Sequence, residues 1–279
     1  GRFGTGSPAA EFERELVKLN VPVICPVSVL NQYEDWVKDP QGMSGGFLSQ
    51  SITMPEFDGG IIPYAVVAQY KDENGLLIFK TIPDRLKNFG NIIANYISLK
   101  TLPNAEKKIA IFYYKGHGKG AGEAAGLEVI PSIYNTLKRL QAEGYNTGVL
   151  PVTAKEFEKD LMTKAPLLGP YAEGAFDAYL KTGYAELVKK EDYEQWCNAQ
   201  IPAELYKEVT DRYGNAPGSY MSFSDNSGDF LAIARAQYGN VVILPQPMPG
   251  WGDDVFARIQ GEKVAPPHSY IAPYLWLQN

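Results

Sequence analysis

Apolar residues Phe12, Leu16 and Leu19 recur at three- and four-residue spacing in AAEFERELVKLN, which predicts a helix closed by Asn20 and followed by a strand in VPVICPV. Residues 38–60 hold many glycines and prolines and read as loop. The apolar runs IIPYAVVAQY and LLIFKTI, joined through a Glu73-Asn74-Gly75 turn, read as a hairpin. Pro83 then opens a helix whose apolar stripe is Leu86, Phe89, Ile93 and Ile97, and Pro103-Asn104 ends it.

KKIAIFYY is a short, β-rich apolar run of the kind found in buried parallel strands, and a glycine-rich stretch follows it. Pro131 fits the first turn of a helix over 131–143, with Ile133, Tyr134, Leu137 and Leu140 on one face and Gly144 at its end. Thr153 and Glu156 have capping-box spacing at the start of TAKEFEKDLM, further helices are expected near 186–199 and 202–213, and YGNVVILPQP reads as another strand of the same core. This alternation predicts an α/β fold of mostly parallel sheet units flanked by helices, Rossmann-like or flavodoxin-like but without a nucleotide fingerprint. Two segments are expected: an α/β segment over 1–104 and an α/β domain with a helical insertion over 105–279.

Composition narrows the classes. With 279 residues and 45% hydrophobic content the chain can bury a sizeable core. A formal charge of −6, with no run of five like charges, argues against a nucleic-acid partner. No stretch of about 18 apolar residues occurs, so no transmembrane segment is expected. The two cysteines, Cys25 and Cys197, lie far apart without a CxxC neighbour and are expected to be buried free thiols. A start at Gly1 and an end at Asn279 suggest a piece of a longer protein.

Candidate chemistry concentrates in two loops. Gly116-His117-Gly118-Lys119-Gly120-Ala121 matches G-x-G-x-x-A, but the helix begins only near Pro131 and no acidic residue ends the next strand, so a dinucleotide site is not expected. No Walker A motif is present either. A glycine-rich loop at the carboxyl end of a strand is nevertheless where an open α/β sheet places its ligands. There His117 can offer an imidazole to a metal or move a proton, Lys119 can pair with a carboxylate, and Glu123 can act as a base; the alternative is a flexible polar connector. In PQPMPGWGDD, Asp253 and Asp254 can attract a cation or accept protons and Trp251 offers a flat face; the alternative is a turn with an N-cap aspartate. His268, after Pro266-Pro267, is either a site residue or part of the first turn of a last helix. Because KKIAIFYY and NVVILPQP are expected as parallel strands of one sheet, their two loops should converge at one edge.

Six ordered blocks carry a resemblance over nearly the whole chain: YEDWVKDPQGMS, MPEFDGGI, PNAEKKIAI, GKGAGEAAGLEVIPSIYNTLKRLQAEGY, YGNVVILPQPMPGWGDD and PPHSYIAPYLWL. Together they resemble the large subunit of the tetrapyrrole metal chelatases, the cobaltochelatase large subunit (CobN) and the magnesium chelatase H subunit. The chain departs from that family at Gly116-His117, where a Pro-Pro pair is common. The resemblance implies a cytoplasmic subunit that binds a tetrapyrrole ring and handles a divalent metal, cobalt, magnesium or iron, as substrate. It implies that His117, Glu123, Asp253 and Asp254 are catalytic, that Lys119, Gly120, Gln246 and Trp251 touch the ring, and that His117 and His268 meet the metal. ATP would be hydrolysed only by AAA+ partner subunits, and the fragment alone would be inactive. The alternative is a noncatalytic scaffold domain that docks those ATPase partners.

Overall fold

The computed structural model describes residues 9–114, 123–124, 127–169, 174–250 and 264–279. The chain divides into two units, Gly1–Leu102 and Pro103–Asn279.

In the first unit, α1 (Ala9–Leu19) ends at Asn20, which takes a left-handed φ of 48° while its N–H donates to Leu16 O. β1 (Val23–Gln32) pairs parallel with β2 (Gly60–Lys71), and β2 pairs antiparallel with β3 (Leu77–Thr81). The hairpin turn is held by Asp72, whose carboxylate accepts from the backbone N–H of Asn74 and of Leu76. α2 (Tyr33–Lys38) follows β1, and α5 (Pro83–Thr101) follows β3. Arg85 in the first turn of α5 donates from Nε to Ala65 O at 2.7 Å, and its guanidinium lies over the rings of Tyr64 and Trp36. Val29, Ala68 and Ile82 form the small buried core. Of the apolar stripe on α5 only Phe89 is buried; Leu86, Ile93 and Ile97 are exposed.

The expectation of loop over 38–60 holds for residues 39–44 and 58–59 and is corrected over 45–57. Gly45–Leu48 (α3), a π-helical turn over Ser49–Thr53 and Met54–Phe57 (α4) form one helical run. Pro55 lacks an N–H and its ring would crowd the carbonyl one turn back, and the wider π turn before it relieves that conflict. Pro40 and Gly42 mark loop, whereas Gly45, Gly46 and Pro55 lie within the helical run.

The second unit is organised by a strand buried on both faces. β4 (Ile109–Tyr113) pairs parallel with β11 (Val241–Pro245), and β10 (Ala236–Tyr238) pairs antiparallel with β11 on its other side. Successive side chains of β11 alternate between two cores. Val241 and Ile243 join Ile133, Tyr134 and Leu137 of α6 (Val129–Ala142) and Phe157 and Leu161 of α7 (Ala154–Lys164). Val242 and Leu244 join Tyr193 and Cys197 of α9 (Lys190–Gln200) and Ala272 and Leu275 of the helix His268–Trp276, here α11. Double-sided burial is why VVILP is continuously apolar rather than alternating.

Thr153 and Glu156 form the expected capping box, with Thr153 Oγ1 accepting from Glu156 N–H and Glu156 Oε2 accepting from Thr153 N–H, both at 3.2 Å. α8 (Ala175–Lys181) and α10 (Ala203–Tyr213) complete the helices used below. The helix expected over 186–199 begins only at Lys190. Glu186–Lys189 is a strand, β7, pairing antiparallel with β9 (Gly228–Ile233), which also pairs with β8 (Ser222–Asp225). β5 (Glu123–Ala124) and β6 (Leu127–Glu128) form a further short antiparallel pair. Among the described residues only β1–β2 and β4–β11 are parallel, so the mixed α/β class stands while the mostly parallel arrangement is corrected. Of the two free cysteines, Cys197 is buried and Cys25 half-buried.

Candidate functional site at the carboxyl edge of the central sheet

β4 and β11 run in register from Ile109 opposite Val241 to Tyr113 opposite Pro245, and Gln246 N–H extends the pairing by donating to Tyr113 O at 2.8 Å. The two strands are adjacent and parallel, as their sequences predicted, and end at the same edge. That edge is where parallel strands present ligands. His117, Lys119, Gly120, Trp251, Asp253 and Asp254 lie outside the described residues. Glu123 is placed through its backbone, opposite Glu128 in the β5–β6 pair.

Gln246 is the first residue beyond β11, and its Nε2 donates to Tyr274 Oη at 2.8 Å. The Tyr274 ring stacks on Phe112 of β4 with centroids 5.1 Å apart and also meets Tyr270. One hydrogen bond and one ring stack thus tie α11 to the ends of both strands.

His268 stands at the start of α11 and is buried. Its Nε2 lies 2.9 Å from Gly214 O and its Nδ1 lies 3.0 Å from the Tyr193 hydroxyl. A carbonyl can only accept, so Nε2 carries the proton and Nδ1 accepts from Tyr193. Burial lowers the imidazole pKa below 6.5, which keeps this neutral form; the bond to Gly214 O and the nearby Glu194 charge act the other way. The rings of Tyr193 and Tyr206 meet His268 edge-on. Cys197 lies within hydrogen-bond reach of Tyr193, and burial pushes its thiol pKa up to about 11. Both ring nitrogens are thus engaged within the chain, Nε2 with Gly214 O and Nδ1 with the Tyr193 hydroxyl. Among the described residues no three His, Cys, Asp or Glu side chains gather into a metal-binding group.

Beside Gln246 lies a cleft of about 50 Å³, lined by Leu167, Met221, Ala232, Gln246, Met248 and Ser269 among others. It is far too small for a macrocycle. The Tyr220 hydroxyl at its wall donates to Leu168 O, and burial pushes that phenol's pKa up to about 12. Ser269 Oγ is buried, with no hydrogen-bond partner among the described residues. Sequence reasoning did not single out Ser269; its place directly after His268 in the PPHSYIAPYLWL block was the available signal. A wider concavity of about 380 Å³ lies by Val149, Asp160, Lys164, Gln237 and Tyr238, toward the amino end of β11, where Tyr238 pairs with Val241. Its charges are committed within the chain, Asp160 to Lys164 and to the Tyr238 hydroxyl, and Glu156 to the capping box.

Fold and site together define a mixed α/β protein whose candidate ligand edge is formed by two parallel strands and braced by α11. Residues 2–279 match the CobN/Magnesium Chelatase family, and the chain belongs to that family. An uncharacterized protein of Methanocaldococcus jannaschii is 30% identical over 285 residues, covering 99% of this chain and 22% of its own length. The aerobic cobaltochelatase subunit CobN of Sinorhizobium sp. is 24% identical over 286 residues, covering 99% of this chain and 21% of its own. The chloroplastic magnesium-chelatase subunit ChlH of Oryza sativa subsp. indica is 28% identical over 288 residues, covering 98% and 19%. The catalytic subunit of cobaltochelatase from Mycobacterium tuberculosis shares the fold with a TM-score of 0.77 and 24% identity, over 95% of this chain and 21% of that one. The chain therefore spans at most 22% of the length of these curated relatives. No helix among the described residues is long and apolar enough to cross a membrane.

Proposed function

We propose that the chain is part of the large, tetrapyrrole-binding subunit of a metal chelatase, which inserts cobalt or magnesium into a corrin or porphyrin ring or removes iron from haem. The observation that carries this reading is the in-register parallel pairing of β4 and β11, since the two loops richest in candidate chemistry follow those strands. Metal insertion requires removal of pyrrole protons, transient oxygen or nitrogen ligands that strip the ion of water, and a flat wall against the macrocycle. His117 and Glu123 are proposed to take the protons, and His117, Asp253 and Asp254 to meet the hydrated ion. Trp251 is proposed as the flat wall, with Lys119, Gly120 and Gln246 orienting the ring's periphery.

His268 holds α11 in this reading and does not meet the metal, because both its nitrogens are engaged. ATP enters only through AAA+ partner subunits in the cytoplasm, in keeping with the missing Walker A motif. The test is a titration of the full-length protein with porphyrins and corrinoids, followed by Soret-band shifts. Binding of at least one ring, with turnover reduced by His117→Ala or Asp253→Ala, is the expected result. Failure to bind every ring would sink the reading.

A further inference from the structure

Leu86, Gly90, Ile93 and Ile97 follow one another at three- and four-residue spacing on α5, so they form one row along the helix. An apolar row of this kind is what a helix ordinarily turns toward a core. Here Leu86 is 44% exposed and Ile97 58%. The side that α5 applies to its own sheet is the neighbouring one, where Phe89 is buried and stacks on Tyr64 of β2. Single exposed apolar side chains are ordinary, but a row of them running about 17 Å along one helix is not. The buried apolar side chains described in Gly1–Leu102 are few: Val27, Val29, Val66, Ala68, Ile82 and Phe89.

Gly90 adds an independent sign. A glycine in a helix interior weakens the helix relative to alanine, and its use is to let another backbone come close. Among the described residues nothing makes that approach, since a Cβ added at Gly90 meets no atom within 4 Å. The row is also uncharged. The one charged residue between Leu86 and Ile97 is Lys87, which points more than a quarter of a turn away.

These features select the occupant. An apolar, uncharged row with a glycine for close approach matches the inside of a permanent interface, whereas surfaces that engage and release a separate subunit are more polar. The chain spans at most 22% of the length of its curated relatives, so about four-fifths of such a subunit lies elsewhere. We propose that the Leu86–Gly90–Ile93–Ile97 face of α5 packs against polypeptide of the same large subunit outside residues 1–279, through an apolar element that approaches Gly90. This rests on the reading of the chain as part of that longer subunit, and not on ring binding.

The test is maleimide labelling of an Ile97→Cys variant, made in the full-length protein and in the 279-residue chain, without AAA+ subunits and read at position 97 by peptide mass spectrometry. Labelling about tenfold or more slower in the full-length protein than in the 279-residue chain is the expected result. Adding Gly90→Leu to the full-length variant should bring the rate back toward that of the shorter chain. Cys197 unreacted and Cys25 reacting as in the corresponding unsubstituted protein certify each fold; should Ile97→Cys fail to fold, Leu86→Cys carries the same expectation. Equal rates in the two proteins would overturn the proposal, as would slow labelling already in the 279-residue chain. Protection that grows with protein concentration would assign the face to a second copy, and protection only after AAA+ subunits are added would assign it to them; either overturns it too. A failed Soret titration would remove the ring reading without altering any labelling rate.

Discussion

Protonating His268 would remove the acceptor that the Tyr193 hydroxyl uses, while Nε2–H continues to serve Gly214 O. Its folded pKa lies below 6.5, so the unfolded chain binds the proton more readily. Stability from this group is fully present above about pH 6.5 and is lost as pH falls from there through the folded pKa, with Glu194 softening the loss. The chain has 2 histidines, so in a His117→Ala background the urea midpoint should fall between pH 7.5 and pH 5 with His268 as the only titrating imidazole. At Gly239, where φ is +58°, an added Cβ would stand 2.5 Å from Asn146 O and from Gly148 N. Gly239→Ala should therefore cost about 3 kcal/mol, combining left-handed strain with a backbone clash, measured by chemical denaturation. Ser269→Ala should instead leave stability unchanged or raise it by about 1 kcal/mol, because it deletes a buried hydroxyl with no partner among the described residues. The surroundings of these residues come from distant parts of the chain, so neither the buried Ser269 hydroxyl nor the fully engaged His268 was legible in sequence. His268 looked like a candidate ligand because its partners, Tyr193 and Gly214, are remote in the chain.

Elements were legible where local chemistry and burial agreed. The capping box at Thr153 is written in four consecutive residues, and Thr153→Ala should cost about 1 kcal/mol of stability in a thermal or urea melt. α6 showed its buried face through Ile133, Tyr134 and Leu137, and β11 its double-sided burial through an unbroken apolar run. Where pairing partners decide, the local pattern misled. Glu186–Lys189 has no strong strand signal of its own and becomes extended because β9 presents a backbone edge to it. In the run from Gly45 to Phe57, Pro55 suggested loop, yet a proline is accommodated where a π turn widens the helix before it. The stripe on α5 had helical period, and the helix formed, but periodicity alone does not say that Leu86, Ile93 and Ile97 stay exposed.

At the scale of the whole molecule, both large cores draw all their residues from Pro103–Asn279, with β11 contributing alternate side chains to each. Residues 103–279 expressed alone should therefore fold cooperatively, with a sharp thermal transition and native-like near-ultraviolet dichroism; a broad, non-cooperative melt would contradict it. The sequence by itself determined the mixed α/β class, the family, and the strands that end in the candidate loops, because apolar periodicity and ordered motif blocks are local properties of the chain. Tertiary structure alone decided that strand pairing among the described residues is largely antiparallel, that His268 spends both nitrogens on holding α11, and that the Ser269 hydroxyl is buried. Each of these depends on which distant backbone edge or side chain arrives beside a residue. Hydrogen-bond satisfaction and burial are set by that arrival, not by neighbours along the chain.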